Sequence, residues 1–248
     1  MLNPFSLVGK TILVTGASAG IGRAIAIICS QMGAKMIISG RDQSRLKETF
    51  SMLDGVDNQL ICADLTNKSD LENLIQALPK LDGVVNNAGI AKPLVLQLTE
   101  EQDVNDVMHI NAMVPINLTR LILQSKKLNK AASLVFISSI NGNNCTYIGS
   151  SVYAASKSAL TGFMKAIALE LAPRGIRANC INPGMIETNL LLNGSIGAEE
   201  LEADRLKYPL KRYGKPEEVA YAAVYLLSDA TTWITGSTVL IDGGYTLQ

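Results

Sequence analysis

The chain carries a glycine-rich junction at residues 11–22, which read Thr-Ile-Leu-Val-Thr-Gly-Ala-Ser-Ala-Gly-Ile-Gly. A short β-branched and apolar run leads into three glycines, after which a helical pattern begins. Glycines let the backbone turn tightly and approach a phosphate, and a helix N-terminus attracts the same anion. The spacing is GxxxGxG rather than the commoner GxGxxG of dinucleotide sites. A plain strand-to-helix turn is the alternative, but three glycines at this junction favour phosphate binding.

Outward from the junction, short apolar runs alternate with longer amphipathic segments, and this pattern predicts βα units and a parallel sheet. The predicted strands are Thr11–Thr15, Met36–Ser39, Gln59–Cys62, Gly83–Asn86, Ser133–Ser138, Arg177–Ile181 and Thr238–Ile241. The predicted helices are Ile21–Met32, Gln43–Met52, Ser69–Leu78, Glu100–Ser125, Val152–Leu171 and Glu217–Leu227. We therefore expect one α/β domain over residues 1–248, a doubly wound, Rossmann-like unit with a seven-stranded parallel sheet and helices on both faces.

Two local features complete this outline. Thr99, with Gln102 three residues later, predicts a capping box that opens the fourth helix. Residues 189–197 are irregular, and a polar segment follows them to Tyr208. A long insertion at the carboxyl edge of such a sheet is where a substrate lid is expected, although an ordinary surface excursion explains the same composition.

Composition excludes several classes of function. The 22 Lys plus Arg balance the 22 Asp plus Glu, which removes the broad attraction behind nonspecific nucleic-acid and membrane binding. Four widely spaced cysteines and one histidine form no zinc pattern and suggest a reducing compartment. No leader-like segment opens the chain, and no apolar run approaches the length of a membrane span. We expect a soluble, cytoplasmic protein with a small-molecule pocket and no metal.

Several further motifs occur in one order along nearly the whole chain. They are Thr15 to Gly22, Asn86-Asn87-Ala88-Gly89, Tyr153 with Lys157, Pro183-Gly184, Ile234-Thr235-Gly236 and Asp242-Gly243-Gly244. Together they resemble the short-chain dehydrogenase/reductase family. The resemblance implies hydride transfer between a nicotinamide cofactor and a carbonyl or secondary alcohol.

The end of the second strand bears on the choice of cofactor. Gly40 stands where an Asp or Glu would hold the ribose hydroxyls of NAD, and Arg41 follows it. A guanidinium can grip a 2′-phosphate through paired hydrogen bonds, so NADP (NADPH) is favoured over NAD. Ala19 stands where the family often has a second basic residue, Asp42 lies nearby, and a solvated Arg41 is the alternative.

The resemblance also implies the cofactor contacts. Asp64 would lie against the adenine, although a turn or N-cap Asp fits the same position equally well. The residues after the fourth and sixth strands would pack along the cofactor and cover the nicotinamide. The implied cofactor-binding residues are Gly16, Ser18, Gly20, Ile21, Gly22, Arg41, Asp64, Leu65, Asn87, Ala88, Gly89, Tyr153, Lys157, Pro183, Gly184, Ile186 and Thr188.

A helical stripe brings two polar residues to the core face. The positions Tyr153, Lys157, Leu160, Met164, Ile167 and Leu171 are spaced alternately by four and three. Burying an unpaired ammonium is costly, so Lys157 on this stripe needs a reason. The resemblance supplies one: Tyr153 exchanges a proton with the substrate oxygen, while Lys157 lowers the phenol pKa and binds the nicotinamide ribose.

Two further catalytic residues are implied. Ser139 matches the serine that holds the substrate oxygen, and strand alternation sends the neighbouring Ser138 to the opposite face. Asn111 matches an asparagine whose main-chain carbonyl holds a water in a proton relay with Lys157. Pro115 has no N–H to donate to that carbonyl, so we expect the acceptor to be free, with a packing kink as the alternative.

Within the family, the chain most resembles the 3-oxoacyl-[acyl-carrier-protein] reductases. Lys127, Lys130 and Arg174 match a region that presents basic residues to the acidic carrier protein. Residues 141–147 are more polar than an acyl site requires, so a sugar, polyol or small-ketone reductase stays an alternative, and a non-catalytic nucleotide sensor is a distant one. The resemblance implies a homotetramer built on the Glu100–Ser125 and Val152–Leu171 helices and the C-terminal strand.

Overall fold

A computed structural model describes residues 3–188 and 198–248, with side chains in the second range from residue 201 onward. It contains one sheet of seven parallel strands. The strands are β1 (Thr11–Thr15), β2 (Lys35–Gly40), β3 (Gln59–Cys62), β4 (Leu81–Asn86), β5 (Leu128–Ile137), β6 (Arg177–Pro183) and β7 (Thr238–Ile241). The predicted Rossmann-like α/β fold is confirmed.

The strand order is β3-β2-β1-β4-β5-β6-β7, so the chain winds outward in both directions from a junction between β1 and β4. Ligands of open α/β sheets bind in the crevice at the carboxyl ends of the strands beside such a reversal. The glycine-rich junction follows β1 directly, and Asn86 ends β4. The fold therefore brings these two motifs to one crevice.

The described helices cover both faces of the sheet. They are α1 (Gly20–Gln31), α2 (Gln43–Ser51), α3 (Lys68–Ala77), α4 (Glu101–Met108), α5 (Val114–Gln124), α6 (Ser151–Leu171), α7 (Ala198–Arg205) and α8 (Pro216–Leu227). One buried cluster joins α3, α5 and α6 to strand residues such as Leu13, and a second joins α1 and α8 to neighbours such as Ile12. Strand alternation thus supplies a separate core to each face.

Two predictions about the fourth helix are wrong. The segment predicted as Glu100–Ser125 consists of α4, one π-helical turn over His109–Met113, and α5, because Pro115 cannot make the regular helical bond. Its first turn is capped at Glu100, whose N–H donates to Asp103 at 3.0 Å, instead of at Thr99 with Gln102. The hydroxyl of Thr99 instead donates to the Val95 carbonyl at 3.2 Å.

Strand β5 begins at Leu128, five residues before the predicted start at Ser133. Its pairing with β4 is interrupted by an irregularity between the Leu81 and Gly83 registers, and Ala131 within it has a φ of 60°. A bulge of exposed residues hides the strand from a period-two pattern. The predicted lid, residues 189–197, lies outside the described residues. Among those described, no helix is long and apolar enough to cross a membrane.

Candidate active site

The glycine-rich loop forms an anion cradle at the start of α1. Gly16 and Gly20 have φ values of 65° and 54°, a region that favours glycine. The N-cap of α1 is Ala19, which has no capping oxygen, and no acidic residue lies in the first turn. The N–H groups of that turn are therefore left for an external anion such as a pyrophosphate. A Cβ at Gly20 would lie 3.2 Å from Thr188, so this predicted cofactor residue closes the loop from the other side.

Asn87 braces the same loop. Its Nδ2 donates to the carbonyls of Thr15 at 3.0 Å and Gly16 at 3.1 Å. The N–H groups of Asn87 and Ala88 donate to the Thr15 hydroxyl. A Cβ at Gly22 would lie 2.3 Å from the Gly16 carbonyl oxygen. The side chain of Asn87 therefore holds the cradle together, and its contribution to a cofactor would come from the backbone.

At the end of β2, Arg41 is exposed, and its guanidinium makes no hydrogen bond or ion pair with the part of the chain that is described. Asp42 is occupied elsewhere, since its carboxylate accepts from the Arg45 N–H at 3.0 Å and pairs with the Arg45 guanidinium at 3.5 Å. A Cβ at Gly40 would lie 2.6 Å from the Ser18 hydroxyl, so an acid at that position would collide with Ser18. These contacts leave the Arg41 guanidinium available to a ligand.

Arg41 also lines a cavity of about 620 Å³, together with Thr66, Ile90 and His109. Asp64 lies beside the Arg41 side chain. The Asp64 carboxylate accepts from both the N–H and the hydroxyl of Thr66, at 3.0 and 2.7 Å. Burial raises the pKa of Asp64, but these hydrogen bonds and the nearby Arg41 guanidinium outweigh that effect and lower the pKa. Leu65 points its side chain into the core, so only its backbone can face a cofactor.

Two consecutive serines at the end of β5 point in opposite directions, as strand alternation predicts. The Ser138 hydroxyl turns into the protein and donates to the Lys157 carbonyl at 2.9 Å. The Ser139 hydroxyl accepts from the Asn141 N–H at 3.1 Å and lies close enough to the Tyr153 phenol to lower the pKa of that phenol. Ser139 and Tyr153 are thus brought together as a pair that can hold one oxygen atom.

Lys157 is buried behind this pair, and its Nζ donates to the Ile137 carbonyl at 2.9 Å. It lies 5.8 Å from the centre of the Tyr153 ring. Burial lowers the pKa of Lys157 to about 8. Burial also raises the pKa of Tyr153 to about 12, against the lowering effect of the Ser139 hydrogen bond. Desolvation is therefore the larger effect on the phenol, and the expectation that Lys157 lowers the phenol pKa stays a prediction.

Asn111 lies in the π-helical turn and is buried. Its side chain accepts from the Ile90 N–H at 2.8 Å and donates to the Ile90 carbonyl at 2.9 Å and to the Ser156 hydroxyl at 3.0 Å. Ser156 in turn donates to the Tyr153 carbonyl at 2.7 Å. A Cβ at Gly89 would lie 3.0 Å from Asn111 Oδ1 and 3.4 Å from Lys157 Nζ. The turn thus links the β4 motif to the catalytic helix, while a water at the Asn111 carbonyl stays a prediction.

The segment after β6 is held by contacts that the sequence did not reveal. Pro183 ends the strand, and the Gly184 N–H donates to the Ile241 carbonyl at 2.8 Å. Ile186 is buried in the core, so its side chain is unavailable to a ligand. The Met185 N–H donates to the Tyr208 hydroxyl at 3.2 Å. Tyr208 lies in a segment predicted only as polar, and no local pattern identifies it.

The polar segment over residues 141–147 uses part of its amide groups within the protein. Asn143 donates to the Ser139 carbonyl at 3.0 Å, and Asn144 accepts from Asn182 at 3.2 Å. The Asn141 side chain accepts from Ser150 at 3.3 Å, but its Nδ2 has no partner among the described residues. Asn144 is also exposed, so a polar pocket border stays a prediction.

Comparison with known proteins agrees with this geometry. Residues 16–246 match the family model described as enoyl-(acyl carrier protein) reductase. The chain is 38% identical over 238 residues to the 3-oxoacyl-[acyl-carrier-protein] reductase of Rickettsia felis, which covers 96% of this chain and 97% of that protein. The corresponding reductase of Thermotoga maritima is 34% identical over 244 residues, with coverage of 96% and 98%.

Among solved structures, a protein of Agrobacterium tumefaciens assigned as a gluconate dehydrogenase superposes with a TM-score of 0.90 at 28% identity, covering 99% of each chain. Its likeness extends over the entire Rossmann-like sheet, and the reductases match the same length at higher identity. The chain belongs to the short-chain dehydrogenase/reductase family and is an oxidoreductase of the alcohol–carbonyl couple that uses a nicotinamide cofactor.

Proposed function

We propose that this chain, as one cofactor-binding domain in the cytoplasm, uses NADPH to reduce a 3-oxoacyl group presented on acyl carrier protein. The observation that carries the reaction is the Ser139–Tyr153 pair at the carboxyl edge of the sheet, with buried Lys157 behind it and the anion cradle beside it. The substrate class is supported by the reductases at 32–38% identity over nearly the whole chain.

The protein's part in the reaction follows from the protonation states. When bound, the nicotinamide supplies the hydride for reduction. Ser139 and Tyr153 hydrogen-bond the substrate oxygen, and Tyr153, protonated because its pKa is raised to about 12, gives it the proton. The ammonium of Lys157 then stabilises the tyrosinate that remains. Asn111 positions the turn of α6 that carries Tyr153, through Ser156.

The choice of NADPH rests on the end of β2. Arg41 is exposed, and the one carboxylate beside it in sequence, Asp42, is held by Arg45. The Ser18 hydroxyl takes the space that an acid at Gly40 would need. A guanidinium recognises a 2′-phosphate better than a 2′-hydroxyl, and the nearby Asp64 carboxylate accepts from Thr66 instead of pairing with Arg41.

The basic residues matched to carrier-protein docking divide into two kinds. Lys127 donates to the carbonyls of Leu78 and Gln76, so it caps the end of α3 and is not part of a docking surface. Lys130 and Arg174 are exposed on adjoining segments, since a Cβ at Gly175 would lie 3.8 Å from Ala131. Both lie at the amino end of β5, opposite Ser139. In our proposal this pair therefore serves the site of another subunit.

A homotetramer supplies that second subunit. The outward face of α6 carries exposed small or apolar side chains at Ala155, Ala159, Ala166 and Leu169, and Met113 is exposed at the start of α5. Close approach of helices needs such a face. The edge strand β7 adds exposed Leu240, with exposed Trp233 just before the strand.

A second candidate is reduction or oxidation of a sugar acid or polyol, which the likeness to the gluconate dehydrogenase of Agrobacterium tumefaciens favours. It ranks second because the relatives that match at 32–38% identity over nearly the whole chain are 3-oxoacyl-[acyl-carrier-protein] reductases.

A substrate panel separates these candidates. Initial rates are measured with NADPH and with NADH for a 3-oxoacyl carrier protein, the same acyl group on a small thiol, gluconate with its keto acid, and simple ketones. We expect the carrier-linked substrate with NADPH to be the best. A Lys130→Ala/Arg174→Ala double variant should lose activity on the carrier-linked substrate only, with Lys126→Ala as control. Preference for the sugar acid, or for NADH, would overturn the proposal.

A further inference from the structure

Two uncharged segments meet at the mouth of the site. Residues 93–98 follow the Gly89 motif, and residues 147–149 lead into α6. The Leu94 N–H donates to the Gly149 carbonyl at 2.9 Å, and a Cβ at Gly149 would lie 3.6 Å from the Leu94 backbone. The two segments are therefore side by side, one on each strand-to-helix connection that carries site residues.

The second segment is connected to the reacting end of the site. The Tyr147 carbonyl accepts from the Ser150 hydroxyl at 2.6 Å, and the same hydroxyl lies 3.3 Å from Asn141 Oδ1. The Asn141 N–H donates to the Ser139 hydroxyl at 3.1 Å, so Tyr147 lies near Ser139. Ile148 follows it at the surface, with 90% of its area exposed.

These segments expose large apolar side chains, which we call the apolar rim: Leu94, Leu96, Leu98, Tyr147 and Ile148. Leu96 has 66% of its area exposed. The nearest charge in sequence, Lys92, is paired with Asp103 and Asp106 of α4, so its charge is balanced there. Clustered apolar side chains at the mouth of a pocket mark a site for an apolar ligand, whereas scattered ones need no explanation.

We propose that the apolar rim binds the acyl chain of the substrate, with the chain leaving the Ser139–Tyr153 pair along the Tyr147 ring and lying against Ile148 and Leu96. This inference rests on the proposed function and adds a preference to it: longer, straight hydrocarbon chains are the better substrates. A sugar or polyol gains nothing from such a surface, because it has no methylene chain to bury.

The test is a chain-length series. The substrates are N-acetylcysteamine thioesters from 3-oxobutanoyl to 3-oxododecanoyl, with kcat/KM measured under NADPH for the full-length protein. Partial burial of each methylene should raise kcat/KM about 2- to 4-fold per methylene. In a Leu96→Ser/Ile148→Ser variant the loss should grow with chain length, so that the slope flattens. Val56→Ser removes an equally exposed apolar side chain, 98% of whose area is accessible, from the α2–β3 connection and should keep the wild-type slope.

The outcomes separate the two proposals. If the double variant keeps the wild-type slope and unfolds thermally like the wild type, the proposal that the apolar rim binds the acyl chain is overturned. Reduction of the 3-oxobutanoyl thioester would still support the proposed function. Failure to reduce any thioester sinks the proposed function. A parallel series of 2-alkanones carries the same tails without a thioester, and a chain-length slope there that the double variant loses supports the rim by itself.

Discussion

At the cofactor end of the cleft, the site is made of backbone, whereas at the catalytic end it is made of buried side chains. The loop after β1 approaches the Asn87 segment so closely that a single methyl group at Gly22 would meet a carbonyl oxygen at 2.3 Å. Across the cleft, Lys157 and Asn111 are buried polar groups whose every contact is specified. The cofactor end should therefore be damaged by substitutions that add atoms, and the catalytic end should lose activity when polar atoms are removed.

The largest effect is expected from removing one atom at the catalytic end. Tyr153→Phe removes the hydroxyl that lies beside Ser139 and leaves the ring in place. Because a positioned general acid contributes about 10²- to 10⁴-fold, kcat for carbonyl reduction should fall about 10³-fold. NADPH binding, followed by fluorescence titration, should stay near wild type. Undiminished turnover in this variant would falsify the assignment of Tyr153.

Adding one methyl group at the cofactor end should have the next largest effect. Gly22→Ala places a Cβ against the Gly16 carbonyl and the Asn87 amide, neither of which can move without opening the loop. We expect a loss of stability of about 3 kcal/mol, at the upper end for an overpacked position. NADPH affinity should fall with it, because the same carbonyls shape the cradle. Denaturant unfolding and cofactor titration check both, and a wild-type result in either contradicts the tight packing.

Some features of the cofactor end and the catalytic end could be predicted from sequence because they depend on a single strand or helix. The strands Thr11–Thr15, Gln59–Cys62 and Thr238–Ile241 match their predicted bounds, because apolar runs between glycines and polar turns give an unambiguous period. The orientation of Ser138 and Ser139 also follows from alternation alone. Local pattern is sufficient wherever one element determines the outcome.

The predictions from sequence fail where contacts between distant segments determine the local structure. Pro115 indicates a disturbed helix, but a π-helical turn depends on how Asn111 is held by Ile90. The amides of Asn143 and Asn144 are held by Ser139 and Asn182, contacts that no local pattern reports. The phenol pKa is set by burial among several elements, which no spacing rule reports.

At the catalytic end, a substitution can also abolish activity while it increases the stability of the fold, by removing the cost of burying a charged group. Lys157→Met should abolish turnover yet stabilise the fold. Burial lowers the pKa of Lys157 from 10.5 to about 8, so the unfolded state binds its proton more tightly and the folded state is penalised below about pH 8. At about 1.4 kcal/mol per pKa unit, less the lost hydrogen bond to Ile137, the net gain should be about 2 kcal/mol.

The pH dependence tests the sign of this effect. As pH rises from about 8 towards 10.5, the wild type loses the penalty, so the stability difference between Lys157→Met and wild type should shrink. Guanidinium unfolding at both ends of that range measures it. A variant that is less stable than the wild type at neutral pH would show that the ammonium is fully compensated where it lies.

The smallest effect is expected at the exposed edge of the cofactor end, where a side chain does contribute. Arg41 is free of described partners, and a charge-assisted hydrogen bond contributes about 1.5–3 kcal/mol, so Arg41→Ala should weaken NADPH binding about 10- to 100-fold. NADH, which lacks the 2′-phosphate, should bind as before. Arg45→Ala is the matched control, because its guanidinium is already paired with Asp42. An equal loss of affinity for NADPH and NADH would mean that Arg41 stabilises the loop instead of binding the 2′-phosphate. Backbone groups alone would then determine cofactor binding at this end.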